Sequence, residues 1–131
     1  MIARRTGRIV NLASTAGKWG SRNQSAYNVS KHAVVGLTRC LGLEMAPHNI
    51  GVNAICPWIV DTDMATGFIA EHANAAGITP AQATTNFVAA VPIKRYIRPD
   101  EVAGLAVYLA SDEASYISGQ SWTVDGGYTM V

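Results

Sequence analysis

The sequence has few cysteines and histidines, and none of them is spaced as metal ligands usually are. Its two cysteines, Cys40 and Cys56, are too few for a disulfide scaffold, so we expect two reduced, buried thiols. The three histidines, His32, His48 and His72, form no pair with metal-ligand spacing. We therefore predict no metal site, and we keep only His72 as a candidate substrate contact.

The sequence also lacks a large excess of charge of one sign, and it has no long apolar run. Ten Lys and Arg residues against nine Asp and Glu residues give a net charge of +1, without the basic stripe typical of nucleic-acid binders. No apolar stretch approaches the roughly 20 residues of a membrane-spanning helix, and the first residues carry two arginines and no apolar segment of a signal peptide. With 49% hydrophobic and 15% charged residues, the composition is that of a packed cytoplasmic protein with no nucleic-acid or membrane partner.

Short apolar runs alternate with helical patterns, an order typical of an α/β fold with a parallel sheet. Strands are predicted at residues 7–13, 51–56 and 120–124. Helices are predicted at residues 25–45, 64–74 and 80–90, and a fourth begins at residues 98–101, where proline and two acids form the first turn. On the first helix, six apolar residues at helical spacing are expected to face the core: Val29, Ala33, Val34, Leu37, Cys40 and Leu41.

The most informative motif places Lys31 four residues after Tyr27, with Ser14 thirteen residues before the tyrosine. Residues i and i+4 share one helix face at roughly 5–6 Å between Cβ atoms, so a helix holds the phenol beside the ammonium group. A phenol ordinarily ionises near pH 10, and an adjacent cation favours its ionised form, which suits proton transfer at neutral pH. Ser14 follows the first predicted strand, at the end where open α/β sheets place their ligands.

Four ordered segments together resemble the short-chain dehydrogenase/reductase family. They are Asn11-Leu12-Ala13-Ser14, Tyr27-x-x-x-Lys31, the strand Val52-Asn53-Ala54-Ile55-Cys56-Pro57, and the ending from Ser118-Gly119-Gln120 to Asp125-Gly126-Gly127. The resemblance runs over essentially all of residues 1–131, and it corresponds to about the second half of that family's nucleotide-binding domain. It implies a Rossmann-like, doubly wound parallel sheet, of which this chain has about three strands with flanking helices.

The resemblance also implies a function, the NAD(P)-dependent interconversion of a secondary alcohol and a ketone. Tyr27 is then the catalytic acid/base, Lys31 assists it and binds the nicotinamide ribose, and Ser14 holds the substrate oxygen. Ser14 also has a purely structural interpretation, as a cap of the loop after the strand. Asn53, inside an apolar strand, is interpreted as a structural hydrogen-bonding residue.

A second family motif, Pro-Gly-x-Val/Ile-x-Thr, aligns with residues 57–62. It implies that Pro57, the backbone of Val60 and the hydroxyl of Thr62 contact the nicotinamide, although Thr62 equally fits the N-cap of the next helix. Trp58 replaces the family glycine here. Either the loop has an ordinary backbone conformation in this chain, or the nicotinamide end of the site is altered.

The family's glycine-rich turn, which receives the cofactor pyrophosphate at a helix N-terminus, has no counterpart before Ile9. We therefore expect a fragment or a truncated gene product, a single partial domain over residues 1–131 whose substrate-binding region is about 61–98. The resemblance implies NAD or NADP without distinguishing them, because the residues that select between them belong to the missing half. The resemblance further implies a homotetramer or dimer in the full-length form, assembled through the tyrosine helix and through the C-terminal strand and helix.

Several functions remain open at this point. The length of the segment between Thr62 and Arg98 favours a diol, polyol or sugar as substrate, and a 3-oxoacyl-carrier-protein reductase is the alternative. A catalytically inactive remnant that cannot bind dinucleotide alone is another interpretation. A Ser-Lys hydrolase is the third, but no Gly-x-Ser-x-Gly elbow supports it.

Overall fold

Three parallel strands form one sheet in the computed structural model, which describes all 131 residues. The strands are β1 (Gly7–Leu12), β2 (Ile50–Pro57) and β3 (Ser121–Val124), in the spatial order β1-β2-β3. Every residue of the central strand β2 is buried, as expected for a parallel strand covered on both faces. The predicted α/β fold is confirmed, with strand ends shifted by only one residue.

The register of the sheet determines which loops meet. Leu12 pairs with Ile55 at the end of β1, and Pro57 pairs with Val124 at the ends of β2 and β3. Because all three strands run in one direction, their carboxyl ends lie at the same edge of the sheet. The loops that follow β1, β2 and β3 therefore lie beside one another.

Four helices flank the sheet: α1 (Ser25–Met45), α2 (Asp63–Ala76), α3 (Pro80–Ala90) and α4 (Pro99–Ala110). The α1 helix covers one face of the sheet, where Val35 packs with Ala13, Ala54 and Cys56. The α4 helix covers the other face, where Leu109 packs with Ile55. The α2 and α3 helices form a third cluster around Ile69, Ala73 and Ala83. None of these helices is both long enough and apolar enough to cross a lipid bilayer.

The predicted inward face of α1 is wrong. Val29 and Leu37 are 70% and 53% exposed, Ala33 and Cys40 are also exposed, and only Val34 and Leu41 are partly buried. The residues that α1 buries are Asn28, Val35, Thr38 and Gly42.

The reason is that α1 approaches its neighbours through small and polar residues. A Cβ atom on Gly42 would lie 2.7 Å from the Cα atom of Gly119, and one on Gly17 would lie 2.6 Å from the carbonyl oxygen of Lys31. Helix periodicity identifies an apolar stripe, but it does not reveal where another segment passes this close to the backbone.

The prediction for the cysteines is half correct. Cys56 is fully buried in β2, whereas Cys40 is exposed on α1. Asn53, also in β2, has the structural role expected of it. Its side chain donates to the Ile117 carbonyl oxygen at 2.8 Å and accepts from the Gln120 amide at 3.1 Å. These two bonds join β2 to the segment that leads into β3.

Candidate active site

Tyr27 and Lys31 lie together on the first turns of α1. The Lys31 ammonium nitrogen is 5.6 Å from the centre of the Tyr27 ring. The same nitrogen donates a hydrogen bond to the Leu12 carbonyl oxygen at 3.2 Å. Tyr27 is 44% exposed, so its phenol is open to a ligand. Lys31 thus holds a positive charge between the tyrosine and the carboxyl end of β1.

Ser14 occupies the loop immediately after β1. Its hydroxyl caps this loop, which is the structural role predicted as an alternative to catalysis. Its hydroxyl oxygen accepts a hydrogen bond from the Ala16 amide at 3.1 Å, which caps a single turn of 3-10 helix. The hydroxyl also donates to the Pro57 carbonyl oxygen, at the long distance of 3.5 Å. A hydroxyl has two lone pairs and one proton, so a lone pair can cap the turn while the proton turns from its long contact with Pro57 to a substrate oxygen.

Asn28, which was not among the residues predicted for the site, anchors the loop between Ser14 and Tyr27. Its side chain is buried, and its amide donates to the Ser21 hydroxyl at 2.8 Å and to the Gln24 carbonyl oxygen at 2.9 Å. These bonds fix the approach of the chain to α1, and with it the position of Tyr27. The signal in the sequence was an amide residue placed inside a helix, where side chains of this type often bond to nearby backbone.

The loop after β2 is held by a short parallel pairing that the sequence did not predict. Val60 pairs with Ile97, and the bonds run from the Asp61 amide to the Ile97 carbonyl at 2.9 Å and from the Ile97 amide to the Ile59 carbonyl at 3.1 Å. In a parallel pairing of this kind the backbone groups of the central residue point away from the partner. The amide and carbonyl of Val60 are therefore directed away from Ile97.

Thr62 stands at the N-cap position of α2, but its side chain makes no capping hydrogen bond. Its hydroxyl instead donates to the Val60 carbonyl oxygen at 3.3 Å. Thr62 is exposed, so this hydroxyl can also reach a ligand. Pro57, the last residue of β2, is buried and contributes the carbonyl that Ser14 contacts. The backbone around Val60 and the exposed Thr62 hydroxyl thus form one polar set after β2.

The backbone conformation of Trp58 distinguishes the two interpretations of the loop after β2. Its φ is not among the positive values in the chain, so the loop has an ordinary backbone conformation that accommodates a side chain. Its amide donates to the Val124 carbonyl oxygen at 3.0 Å, which continues the pairing of β2 with β3. The tryptophan therefore replaces glycine without backbone strain.

Two cavities flank these residues, and neither is lined by Ser14, Tyr27 or Lys31. One, of about 600 Å³, opens beside the start of α1 and is lined by Trp19, Asn28 and His32 among others. The other, of about 110 Å³, lies near Tyr96 and Asp125. The chain contains no group of three or more His, Cys, Asp or Glu residues arranged to hold a metal ion. His72, the candidate substrate contact, has its ring centre 4.7 Å from that of Phe87.

Comparison with known proteins gives one consistent family. A family model described as enoyl-(acyl carrier protein) reductase matches residues 1–129. A protein named for ketoacyl reduction in the monensin polyketide synthase of Streptomyces virginiae is 49% identical over 127 residues. That alignment covers 97% of this chain and 49% of the relative. The chain thus spans about half the length of the curated relatives it matches.

Solved structures agree in fold and in coverage. The actinorhodin polyketide ketoreductase with NADPH superposes with a TM-score of 0.94 and 43% identity, over 98% of this chain and 49% of that one. Xylitol dehydrogenase bound to NAD⁺ superposes with a TM-score of 0.92 and 34% identity, over 97% of this chain and 51% of that one. The three-stranded sheet is therefore the C-terminal half of a Rossmann-like fold.

Proposed function

The chain belongs to the short-chain dehydrogenase/reductase family, and on this premise we propose that it carries the catalytic half of an NAD(P)-dependent oxidoreductase. The reaction is the interconversion of a secondary alcohol and a ketone. The observation that carries the proposal is the placement of the Lys31 ammonium group between Tyr27 and the end of β1, two residues before Ser14. The Tyr27 phenol, the Lys31 ammonium group and the Ser14 hydroxyl then lie at the same edge of the sheet.

In the direction of reduction, the Tyr27 hydroxyl gives its proton to the carbonyl oxygen of the substrate, and in oxidation the phenolate removes a proton from the alcohol. Ser14 binds the same oxygen and orients it. Lys31 holds a positive charge beside the Tyr27 ring, at the site of this proton transfer. The nicotinamide supplies or accepts the hydride, and these residues supply position and charge.

The residues present fit the nicotinamide end of such a cofactor. The amide and carbonyl of Val60 point away from its pairing partner Ile97, and the Thr62 hydroxyl makes no capping hydrogen bond to α2. We propose that Pro57, Val60 and Thr62 line the carboxamide and that Lys31 also bonds the ribose. Similar solved structures hold NADPH in one case and NAD⁺ in another, so the proposal names NAD or NADP.

A second candidate, the alternative raised by the sequence, is a chain that binds no dinucleotide and turns over no substrate. Fluorescence titration of the purified chain with NADH and with NADPH, followed by turnover assays with ketone substrates, separates the two. Micromolar binding with turnover supports the oxidoreductase. Absence of both supports the remnant.

The relatives are named for different substrates: one for ketoacyl reduction and another for xylitol. A diol, polyol or sugar and a 3-oxoacyl thioester are therefore both candidate substrates. A polyol and a 3-oxoacyl thioester differ in how apolar the side chains beside the reacting carbon should be. The side chains around the candidate active site therefore bear on the choice between them.

We also propose that the protein forms a homo-oligomer through α1. The support is the apolar stripe on its outer face, where Val29 is 70% and Leu37 is 53% exposed and Leu43 is 80% exposed. Contiguous exposed apolar surface is typical of a protein interface. A dimer or tetramer that pairs these helices buries the stripe.

A further inference from the structure

A row of aromatic rings crosses the edge of the sheet that carries the candidate active site. The ring centre of Tyr128 lies 5.3 Å from that of Trp19 and 5.1 Å from that of Trp58. The Trp58 ring continues the row to Phe87 at 6.3 Å and to Tyr96 at 6.0 Å. All five side chains are partly buried, so they pack on one another and still reach the surface. We call this set the aromatic row.

The row draws its members from the segments that surround the carboxyl ends of the strands. Trp19 comes from the loop between Ser14 and Tyr27, and Tyr128 follows β3. Phe87 and Tyr96 come from the region expected to bind substrate. Trp58 is the central member, because its ring contacts three of the other four. The row therefore links the candidate catalytic loop to α3.

The backbone of Trp58 is also fixed directly after the residue that Ser14 contacts. Its amide donates to the Val124 carbonyl oxygen, and the carbonyl of the preceding Pro57 accepts the bond from the Ser14 hydroxyl. Its partner Tyr128 is held by a tight turn, in which the buried Asp125 carboxylate accepts bonds from the Gly127 amide at 3.0 Å and the Thr129 amide at 2.6 Å. The indole is thus presented by rigid backbone one residue away from the Ser14 contact.

We propose that Trp58 is a specificity-determining residue whose indole contacts the planar group of an aryl or conjugated ketone. The inference rests on the proposed function and deepens it by naming the substrate class. Aromatic rings pair favourably in stacked or edge-to-face geometry, with a gain beyond the area they bury. An acyclic polyol has no planar group to stack on the indole.

The test measures binding without cofactor, so that it does not depend on turnover. The purified chain is titrated with acetophenone and with cyclohexyl methyl ketone, a pair of similar size that differs in the aromatic ring, and Kd is obtained by ligand-observed NMR. Variants are Trp58→Phe, which keeps an aromatic ring, and Trp58→Leu, which keeps apolar bulk. Trp122→Phe is the matched control, because Trp122 packs on the opposite face of the sheet with Leu109.

The chain and Trp122→Phe should bind acetophenone about fivefold more tightly than the cyclohexyl ketone, in line with one aromatic pair. Trp58→Phe should keep most of this preference and Trp58→Leu should lose it, with circular dichroism showing that each is folded. No preference in the chain, or an equal preference in folded Trp58→Leu, overturns the inference. Preference without NADPH or NADH turnover supports the inference while it contradicts the proposed activity.

Discussion

Lys31 donates a hydrogen bond to the carbonyl oxygen of Leu12 at 3.2 Å, and this contact ties the tyrosine helix to the end of the first strand. The two residues are 19 positions apart in sequence, and the packing of α1 on the sheet brings them together. Because Ser14 follows Leu12 by two residues, this contact holds the lysine charge beside the loop that carries the serine. The account of function depends on this arrangement.

Replacing Lys31 by methionine removes both the charge beside Tyr27 and the contact with Leu12. We expect kcat/KM to fall about a hundredfold or more, because the positive charge beside the proton-transferring residue is lost. Lys94→Met is a matched control, since Lys94 also donates to a backbone carbonyl, that of Ala89, but away from the site. Steady-state kinetics of both variants checks the prediction. Equal losses of kcat/KM in the two would show that the loss does not depend on the position of Lys31 beside Tyr27.

The two cysteines should differ sharply towards a thiol reagent. Burial raises the pKa of the Cys56 thiol, and the thiolate is the reactive form, whereas Cys40 is exposed. In the Leu37→Glu variant described below, whose α1 face is free, iodoacetamide at neutral pH should therefore label Cys40 and leave Cys56 unmodified until the chain is unfolded. Peptide mass spectrometry reads out both sites in one sample. Rapid labelling of Cys56 in the folded chain would show that the β2 core is open.

Glu101 should make stability depend on pH in the acid range. Hydrogen bonds from the Arg95 guanidinium lower the pKa of Glu101 from 4.5 to about 2. A lowered folded-state pKa stabilises the folded chain above pH 4.5, and the contribution is lost as pH falls towards 2. The Tm of Glu101→Gln should lie below that of the parent at neutral pH, and the difference should shrink on acidification.

Glu71→Gln, on an exposed position of α2, is the control for this experiment. Its Tm should follow that of the parent at every pH. A Tm difference for Glu101→Gln that stays constant down to pH 2 would mean that the ion pair with Arg95 is not its source.

The exposed face of α1 should control assembly. Leu37→Glu places a charge in the apolar stripe, and burying an unpaired charge in an interface is costly. Analytical ultracentrifugation should show an oligomer for the parent and a smaller species for this variant. Met64→Glu, at an 82% exposed position on α2, should leave the oligomer intact. A parent chain that is monomeric at all concentrations would contradict the proposed interface.

The sequence predicted the parts of this structure that depend on local spacing. Tyr27 and Lys31 meet because residues four apart always share a helix face. The three strands and four helices were readable because their periodicity and end signals lie within each segment.

What the sequence could not predict depends on contacts between distant segments. The outward stripe of α1 was mistaken for its core face because the close approach of Gly42 to Gly119 leaves no trace in the helix pattern. The pairing of Val60 with Ile97 joins two loops, and no periodicity marks it. The aromatic row was likewise hidden, because its members are spread from Trp19 to Tyr128.

The most direct test of the account is the rate of NAD(P)H oxidation by the purified chain and by Tyr27→Phe with acetophenone as substrate. Tyr116→Phe, at a fully exposed position, loses an equivalent hydroxyl and serves as the control. If Tyr27 is the proton donor, its variant should be slower by about a hundredfold to ten-thousandfold, while the control keeps the parent rate. Equal rates for all three proteins, or no oxidation by any of them, would contradict the central claim.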